Sequence, residues 1–292
     1  MAWIGLAGLS NIALAVATTE PIGLIENLFQ AVVLGLVQGI TEFLPISSTA
    51  HLIIFRDVFG WLQPKYYVDA IQFGSVIAVV MYFWQDIRQV LGGSWAAFRA
   101  KDWACEEWKI LVGIAVGTIP ALGVGYVFRD AIPESPLVIA IASIVMATLL
   151  GLAEVWGRRK RNFDNLEIKD GILVGLGQML ALVPGVSRSG STLTTALFLG
   201  LERQPAARFS FLLGIPTLTI ATLYQSLKAL GSIQDILSLL VGIFSAFIFS
   251  YLAIAWLLRY LQRQSTWIFV WYRLGLGVVI LLAIATKLWK TA

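Results

Sequence analysis

The stretch Gln38-Gly39-Ile40-Thr41-Glu42-Phe43-Leu44-Pro45-Ile46-Ser47-Ser48-Thr49-Ala50-His51 sets a carboxylate, several hydroxyls and the chain's only histidine between apolar runs. Polar groups are expensive away from water unless something satisfies them, so they need partners here. The apolar run at 24 to 44 and the shorter one at 50 to 61 are separated by Pro45 and the hydroxyl cluster. Proline removes a backbone donor and clashes with the preceding turn, so a helix entering this stretch must break. Short hydrophobic pieces broken in this way form re-entrant helical hairpins, whose exposed backbone is buried in protein or lines a polar cavity. The stretch therefore predicts one hairpin over 24 to 61. A second stretch, Gln178 to Thr192, repeats the order: an apolar helix carrying Gln178, then Pro184, then hydroxyls, this time with Arg188. It predicts a second hairpin over 171 to 201.

The composition agrees with a membrane setting. Of 292 residues, 58% are apolar and 13% charged, and the mean hydropathy is +0.81, which is too apolar for an ordinary soluble domain. The net charge of +4 is read through where the basic residues lie, not as a nucleic-acid signal, because basic residues of membrane proteins gather in cytoplasmic loops. A single cysteine, Cys105, excludes an intrachain disulfide and a multi-cysteine metal centre. Residues 1 to 23 are apolar, and Ala15-Val16-Ala17 resembles a cleavage site, but no Lys or Arg precedes it. A signal peptide has such a basic n-region, so the segment is expected to be an uncleaved N-terminal extension.

Long apolar runs near 68 to 85, 108 to 128, 136 to 156, 208 to 227, 236 to 258 and 268 to 287 approach the roughly 20 residues needed to cross a bilayer. Each hairpin is thus followed by three spans. The interval is about 140 residues, and Gly35-Leu36-Val37-Gln38 matches Gly175-Leu176-Gly177-Gln178. Three spans per half is an odd number, so the second half inserts upside down relative to the first. The expected architecture is an all-α polytopic membrane protein with one domain over 24 to 292, built from two inverted repeats, 24 to 156 and 171 to 287. Arg158, Arg159, Lys160, Arg161 and Lys169 put the loop between the halves in the cytoplasm. Counting outward from it, the inside loops add Arg88, Arg99, Lys101, Arg203, Arg208, Arg259 and Arg263, against Lys65, Arg129, Lys228, Lys287 and Lys290 outside. The two hairpins then enter from opposite faces, with their tips near the midplane.

Gln38 and Glu42, four apart, share a helix face directed toward Ser48 and His51 beyond the break. A carboxylate at this depth needs a partner: a divalent cation, His51 or Arg188. In Pro184-Gly185-Val186-Ser187-Arg188-Ser189-Gly190-Ser191-Thr192, small residues let backbone amides converge, and the following helix presents its positive end. Arg188 adds a planar fork of donors matched to phosphoryl oxygens. Ser47, Thr49, Ser187, Ser189, Gly190 and Thr192, with Gln38, are the candidate substrate-binding residues. Phosphoryl transfer needs charge neutralisation, a nucleophile and a proton donor for the leaving group. Ser48 and His51 suit a nucleophile and its base, and His51 equally suits direct attack on phosphorus.

At these two motifs the chain resembles the BacA-type undecaprenyl-diphosphate phosphatases. That family carries an (E/Q)xxxE element running into PxSSxxH, matched by Gln38, Glu42 and Pro45 to His51, and PGxSRSGxT, matched by Pro184 to Thr192. The resemblance implies hydrolysis of a polyprenyl diphosphate to the monophosphate and inorganic phosphate, which recycles the lipid carrier of the bacterial cell wall and confers resistance to bacitracin. It implies a multi-pass protein of the bacterial plasma membrane, among membrane lipids; with the orientation set by the basic loops, the site is expected to face the periplasm. It also implies Mg²⁺ or Ca²⁺ as cofactor and central roles for Glu42, Ser48, His51 and Arg188. Gln38 is the glutamine form of its position, so the metal would rely on Glu42, with Gln38 as a neutral oxygen donor. Gly-rich spans are compatible with a homodimer. Acid-phosphatase-like lipid phosphatases need two histidines and are excluded by the single one. Broken helices meeting at a midplane also build secondary transporters and flippases for anions, but a carrier has no need of a hydroxyl and an imidazole beside its anion site.

Overall fold

The computed structural model describes residues 23–61, 65–128, 133–229 and 235–289; the expected N-terminal extension lies outside them except for Gly23. Among the described residues the chain forms eleven α-helices. The first half contains α1 (Leu24–Phe43), α2 (Ser48–Phe59), α3 (Lys65–Tyr82), α4 (Trp84–Ala100), α5 (Glu106–Phe128) and α6 (Pro136–Trp156). The second contains α7 (Ile168–Met179), α8 (Arg188–Phe198), α9 (Arg203–Ala229), α10 (Ile236–Leu261) and α11 (Trp267–Ala285). Apart from one isolated bridge between Arg161 and Leu201, no described residue pairs as a strand.

The all-helical, multi-pass expectation is borne out: six helices, α1, α5, α6, α9, α10 and α11, are long and apolar enough to cross a membrane. Large side chains such as Ile119, Phe244 and Val279 point outward, each more than 60% exposed, as a lipid-facing surface requires. Two boundaries differ from the sequence reading. The run expected to end near 85 bends by 62° around Phe83 and continues as α4, a helix that the polar residues and the Gly92-Gly93 pair concealed. It holds because Val90, Ser94 and Ala97 are buried on one face and Ser94 donates to the Glu107 carbonyl at 2.8 Å. The first arm of the first hairpin, α1, has the length of a full span, because Glu42 comes only in its last turn.

Glycine decides how closely the helices approach. α1 packs on α10 and α7 packs on α5, while α6 lies against α11 and α3 against α9 and α10. At Gly35 and Gly39 an added Cβ would collide with the α10 backbone at Gly242, Ala246 and Ser250; at Gly171 and Gly175 it would collide with the α5 backbone at Gly113 and Gly117. Small residues permit such contacts, which substitute for the hydrophobic drive that is absent between helices in lipid. At one end of the bundle, buried Glu154 accepts from Arg159, Arg203 and the Thr266 hydroxyl. Arg161 donates to Asp170 and to the Leu199 and Asn165 carbonyls, which ties down the link between the halves.

Gly171→Val is expected to lower the thermal midpoint of the detergent-solubilised protein, because backbone atoms cannot yield to the new side chain and overpacking costs about 1–3 kcal/mol. Gly92→Val, where nothing lies within 4 Å, serves as the control. Equal midpoints for the two variants would contradict the close α5–α7 contact.

Candidate active site

The two helix breaks have nearly the same backbone. Ser47 (φ 75°, ψ 103°) caps α2, its hydroxyl accepting from the Ala50 amide, and Ser187 (φ 72°, ψ 119°) caps α8 by accepting from Gly190. Positive φ is uncommon outside glycine and costs about 1–3 kcal/mol. Two such residues at matched positions mean that the surroundings impose the turn. The two turns also touch each other. Ser189 Oγ donates to the Leu44 carbonyl at 3.0 Å, and Arg188 Nη2 donates to Glu42 Oε1 at 3.0 Å.

Arg273, an arginine inside an apolar span, locks this junction from behind. It is 1% exposed and donates to the carbonyls of Pro45 at 3.1 Å and Gly185 at 2.7 Å, one from each turn, and more distantly to Ser143 at 3.4 Å. No described carboxylate pairs with it. The carbonyls left free where the helices break are thus satisfied by one buried cation, and its charge stands directly behind the cavity wall at Gly185.

In front of the junction lies a cavity of about 220 Å³ bounded by Glu42, Ser47, Ser48, Thr49, Gln178, Ser187, Arg188 and Thr217. A second cavity of about 260 Å³ shares Ser48, Thr49 and Gln72 with it and runs past Gln38 toward Trp61, Asp69 and Glu134. Glu42 is the hub. Its Oε1 takes Arg188, and its Oε2 accepts from Ser48 Oγ at 2.9 Å and Gln38 Nε2 at 3.1 Å. The Arg188 guanidinium lies 5.9 Å from the Phe43 ring centroid. It fits only because residue 214 is glycine: an added Cβ there would run into its Nη1.

The structure brings Gln38, Glu42, Ser48 and Arg188 together and lines the cavity with Ser47, Thr49 and Ser187. It does not bring His51 to Ser48. The imidazole Nδ1 contacts the Ser47 carbonyl at 2.7 Å and its Nε2 the Tyr272 hydroxyl at 2.5 Å, with the two rings stacked. Residues three apart on a helix share a face, so the spacing alone does not part them; the contacts to the Ser47 carbonyl and to Tyr272 on α11 hold the imidazole away from Ser48. Ser189, Gly190 and Thr192 are buried behind the cavity. Ser189 bonds to the first turn, Thr192 back to the Arg188 carbonyl, and Gly190 lies where a Cβ would come 3.2 Å from Arg273. Sequence reasoning left Gln178, Thr217 and Arg273 out of the site. The 140-residue offset from Gln38 was a signal for Gln178, and a charge within an apolar span was one for Arg273.

A family model, bacitracin resistance protein BacA, matches residues 31–279. The chain belongs to the BacA family. The resemblance drawn from the two motifs is thereby borne out, and relatives extend it. The BacA-family chain is 61% identical over 260 residues to an undecaprenyl-diphosphatase of Thermosynechococcus vestitus, covering 88% of this chain and 95% of that protein. It is 51% identical over 271 residues to the undecaprenyl-diphosphatase of Trichodesmium erythraeum, covering 88% and 86%. With that of Synechocystis it shares 51% over 273 residues, covering 90% and 84%.

Gly214→Ala is expected to displace the Arg188 guanidinium and lower turnover by about tenfold or more, the consequence of losing on the order of 1.4 kcal/mol of positioning energy. Steady-state phosphate release measures it, and wild-type turnover would show that the guanidinium does not need this space.

Proposed function

We propose that this protein is a membrane-embedded undecaprenyl-diphosphatase, hydrolysing undecaprenyl diphosphate to undecaprenyl phosphate and inorganic phosphate. The reaction recycles the lipid carrier of cell-wall synthesis and confers bacitracin resistance by removing the diphosphate that bacitracin sequesters. The observation that carries the reading is the bond from Ser48 to the same carboxylate that pairs with Arg188, inside one cavity. An anion carrier needs the arginine; a hydroxyl held on a carboxylate in the same cavity is what a covalent reaction adds.

Arg188 receives the terminal phosphoryl group. It lines the cavity and donates through Nη2 to Glu42, so the planar fork can hold phosphoryl oxygens and Glu42 together. Ser48 is the better nucleophile of the two candidates, because both His51 nitrogens are engaged elsewhere. Ser48 Oγ attacks phosphorus and its proton passes to Glu42. The anhydride P–O bond breaks with its electron pair on the lipid phosphate, leaving phosphoserine. Water then attacks this phosphorus, the bond to Ser48 breaks, and Glu42 returns the proton to Oγ. His51 positions the first turn of α2 between Ser47 and Tyr272.

No cluster of three or more His, Cys, Asp or Glu able to hold a metal occurs among the described residues. Mg²⁺ and Ca²⁺ fit the site nonetheless as ions that arrive with the substrate, since hard cations are bound by one or two carboxylates together with phosphate oxygens. Glu42 would supply the carboxylate and Gln38 an amide oxygen. Such an ion neutralises charge on the diphosphate.

The inverted repeat is supported by reciprocal packing, α1 on α10 and α7 on α5, and by the matched serine caps. An outward-facing site is supported by the basic residues around 158 to 169 and by the second cavity, which runs toward Trp61, Asp69, Glu134 and Gln225, beside the loops assigned outside. The isoprenoid tail would lie between helices while the headgroup enters this path.

Purified protein should release phosphate from undecaprenyl diphosphate, stop on addition of chelator and recover with Mg²⁺ or Ca²⁺. Arg188→Ala should lower that release by about 100-fold or more, the scale of losing one charge-stabilising donor; undiminished turnover would sink the assignment. Rapid quenching with terminally labelled substrate should trap acid-stable label on Ser48. Acid-labile label on His51 would transfer the nucleophile's role to the imidazole.

A further inference from the structure

Gln178 stands 140 residues after Gln38, but the two amides are used differently. Gln38 gives its amide hydrogen to Glu42, whereas Gln178 Nε2 donates to Thr217 Oγ1 at 2.9 Å. That bond orients the amide and turns its oxygen away from Thr217. Gln178 is 2% exposed, it lines the cavity that holds Ser48 and Arg188, and no described residue donates to its Oε1. A buried amide oxygen without a donor costs about 1–3 kcal/mol. The cavity wall therefore carries an acceptor beside the donors of Arg188.

The two kinds of group select different guests. Phosphoryl oxygens satisfy Arg188 but are themselves acceptors, and Gln178 Oε1 repels them. A cation or a hydrogen donor satisfies it; the carboxylate that would hold a cation, Glu42, is bonded to Gln38 and not to Gln178, and the hydrogen-bearing reactant of a hydrolysis is water. Resting on the phosphatase reading, we propose that Gln178, held by Thr217, positions the attacking water. One O–H of the water donates to Oε1, which directs a lone pair toward the phosphorus held by Arg188. The water oxygen bonds to phosphorus, the P–O bond to Ser48 breaks with its electron pair on Oγ, and the proton held by Glu42 moves to that oxygen. Both water protons leave with inorganic phosphate, as dihydrogen phosphate. Gln178 accepts a hydrogen bond throughout and takes no proton, as suits an amide.

The test uses the full-length purified protein, undecaprenyl diphosphate and added methanol as a competing nucleophile. Gln178→Leu keeps the bulk and removes the acceptor. It should lower kcat by about tenfold, the worth of one hydrogen bond in a buried site, leave KM within about twofold, and raise the ratio of methyl phosphate to phosphate. Thr217→Val should move kcat and the product ratio in the same direction, and Thr217→Ser should restore both. A Gln178→Leu enzyme with wild-type kcat, or one slowed without any change in the product ratio, overturns the proposal. If that variant does not fold, Thr217→Val against Thr217→Ser decides by the same two readouts. Failure of the wild-type protein to release phosphate would bring down the phosphatase reading itself. Normal wild-type release with an unaltered product ratio in the variants brings down only the role of Gln178.

Discussion

A carboxylate and a guanidinium inside an apolar bundle are each too costly to leave alone, and in this chain they hold each other. Glu42 closes the last turn of α1 and Arg188 opens α8, so their 3.0 Å contact joins two elements 146 residues apart in sequence. Removing one member of a buried pair leaves an uncompensated charge worth about 3–5 kcal/mol. The two helix breaks must therefore meet. Everything around the pair serves to satisfy what that meeting exposes. Gln38 and Ser48 complete the carboxylate, Gly214 leaves room for the arginine, and Ser189 reaches the Leu44 carbonyl.

Breaking helices inside a membrane also frees backbone carbonyls, and Arg273 answers that problem. It takes one carbonyl from each turn. This gives the structure a positive charge with no described carboxylate attached, immediately behind the cavity wall at Gly185. The same residue thus stabilises the turns and sets the sign of the local field. The positive-φ serines at 47 and 187 are the cost of turning sharply enough to present both helix starts to one space.

The glycine contacts on α1 and α7 have a functional consequence as well. Because these helices lie backbone against backbone on α10 and α5, the helices that carry Glu42 and Gln178 are held by close neighbours. A site that must position a phosphoryl group benefits from such support, since small displacements of reacting groups are expensive.

Much of this was legible in the sequence. Pro45, Pro184 and the hydroxyl runs marked both breaks to within a few residues, because helix termination is a local property of the chain. Glu42, Ser48 and Arg188 were legible as well, because ionisable groups and hydroxyl clusters stand out against apolar surroundings. The continuation of α4 was not, since its polar surface reads as a loop until α5 is present to cover its other face. Nor could the sequence place His51 relative to Ser48. Their spacing of three is common to both, and only the position of Tyr272 on a helix more than 200 residues away draws the imidazole aside. Gln178 and Arg273 became part of the site for the same kind of reason: what a buried side chain faces depends on how distant helices rotate and pack against its own. The sequence by itself determined where the chain breaks and which chemical groups it carries there; the tertiary structure alone decided which of them share a cavity.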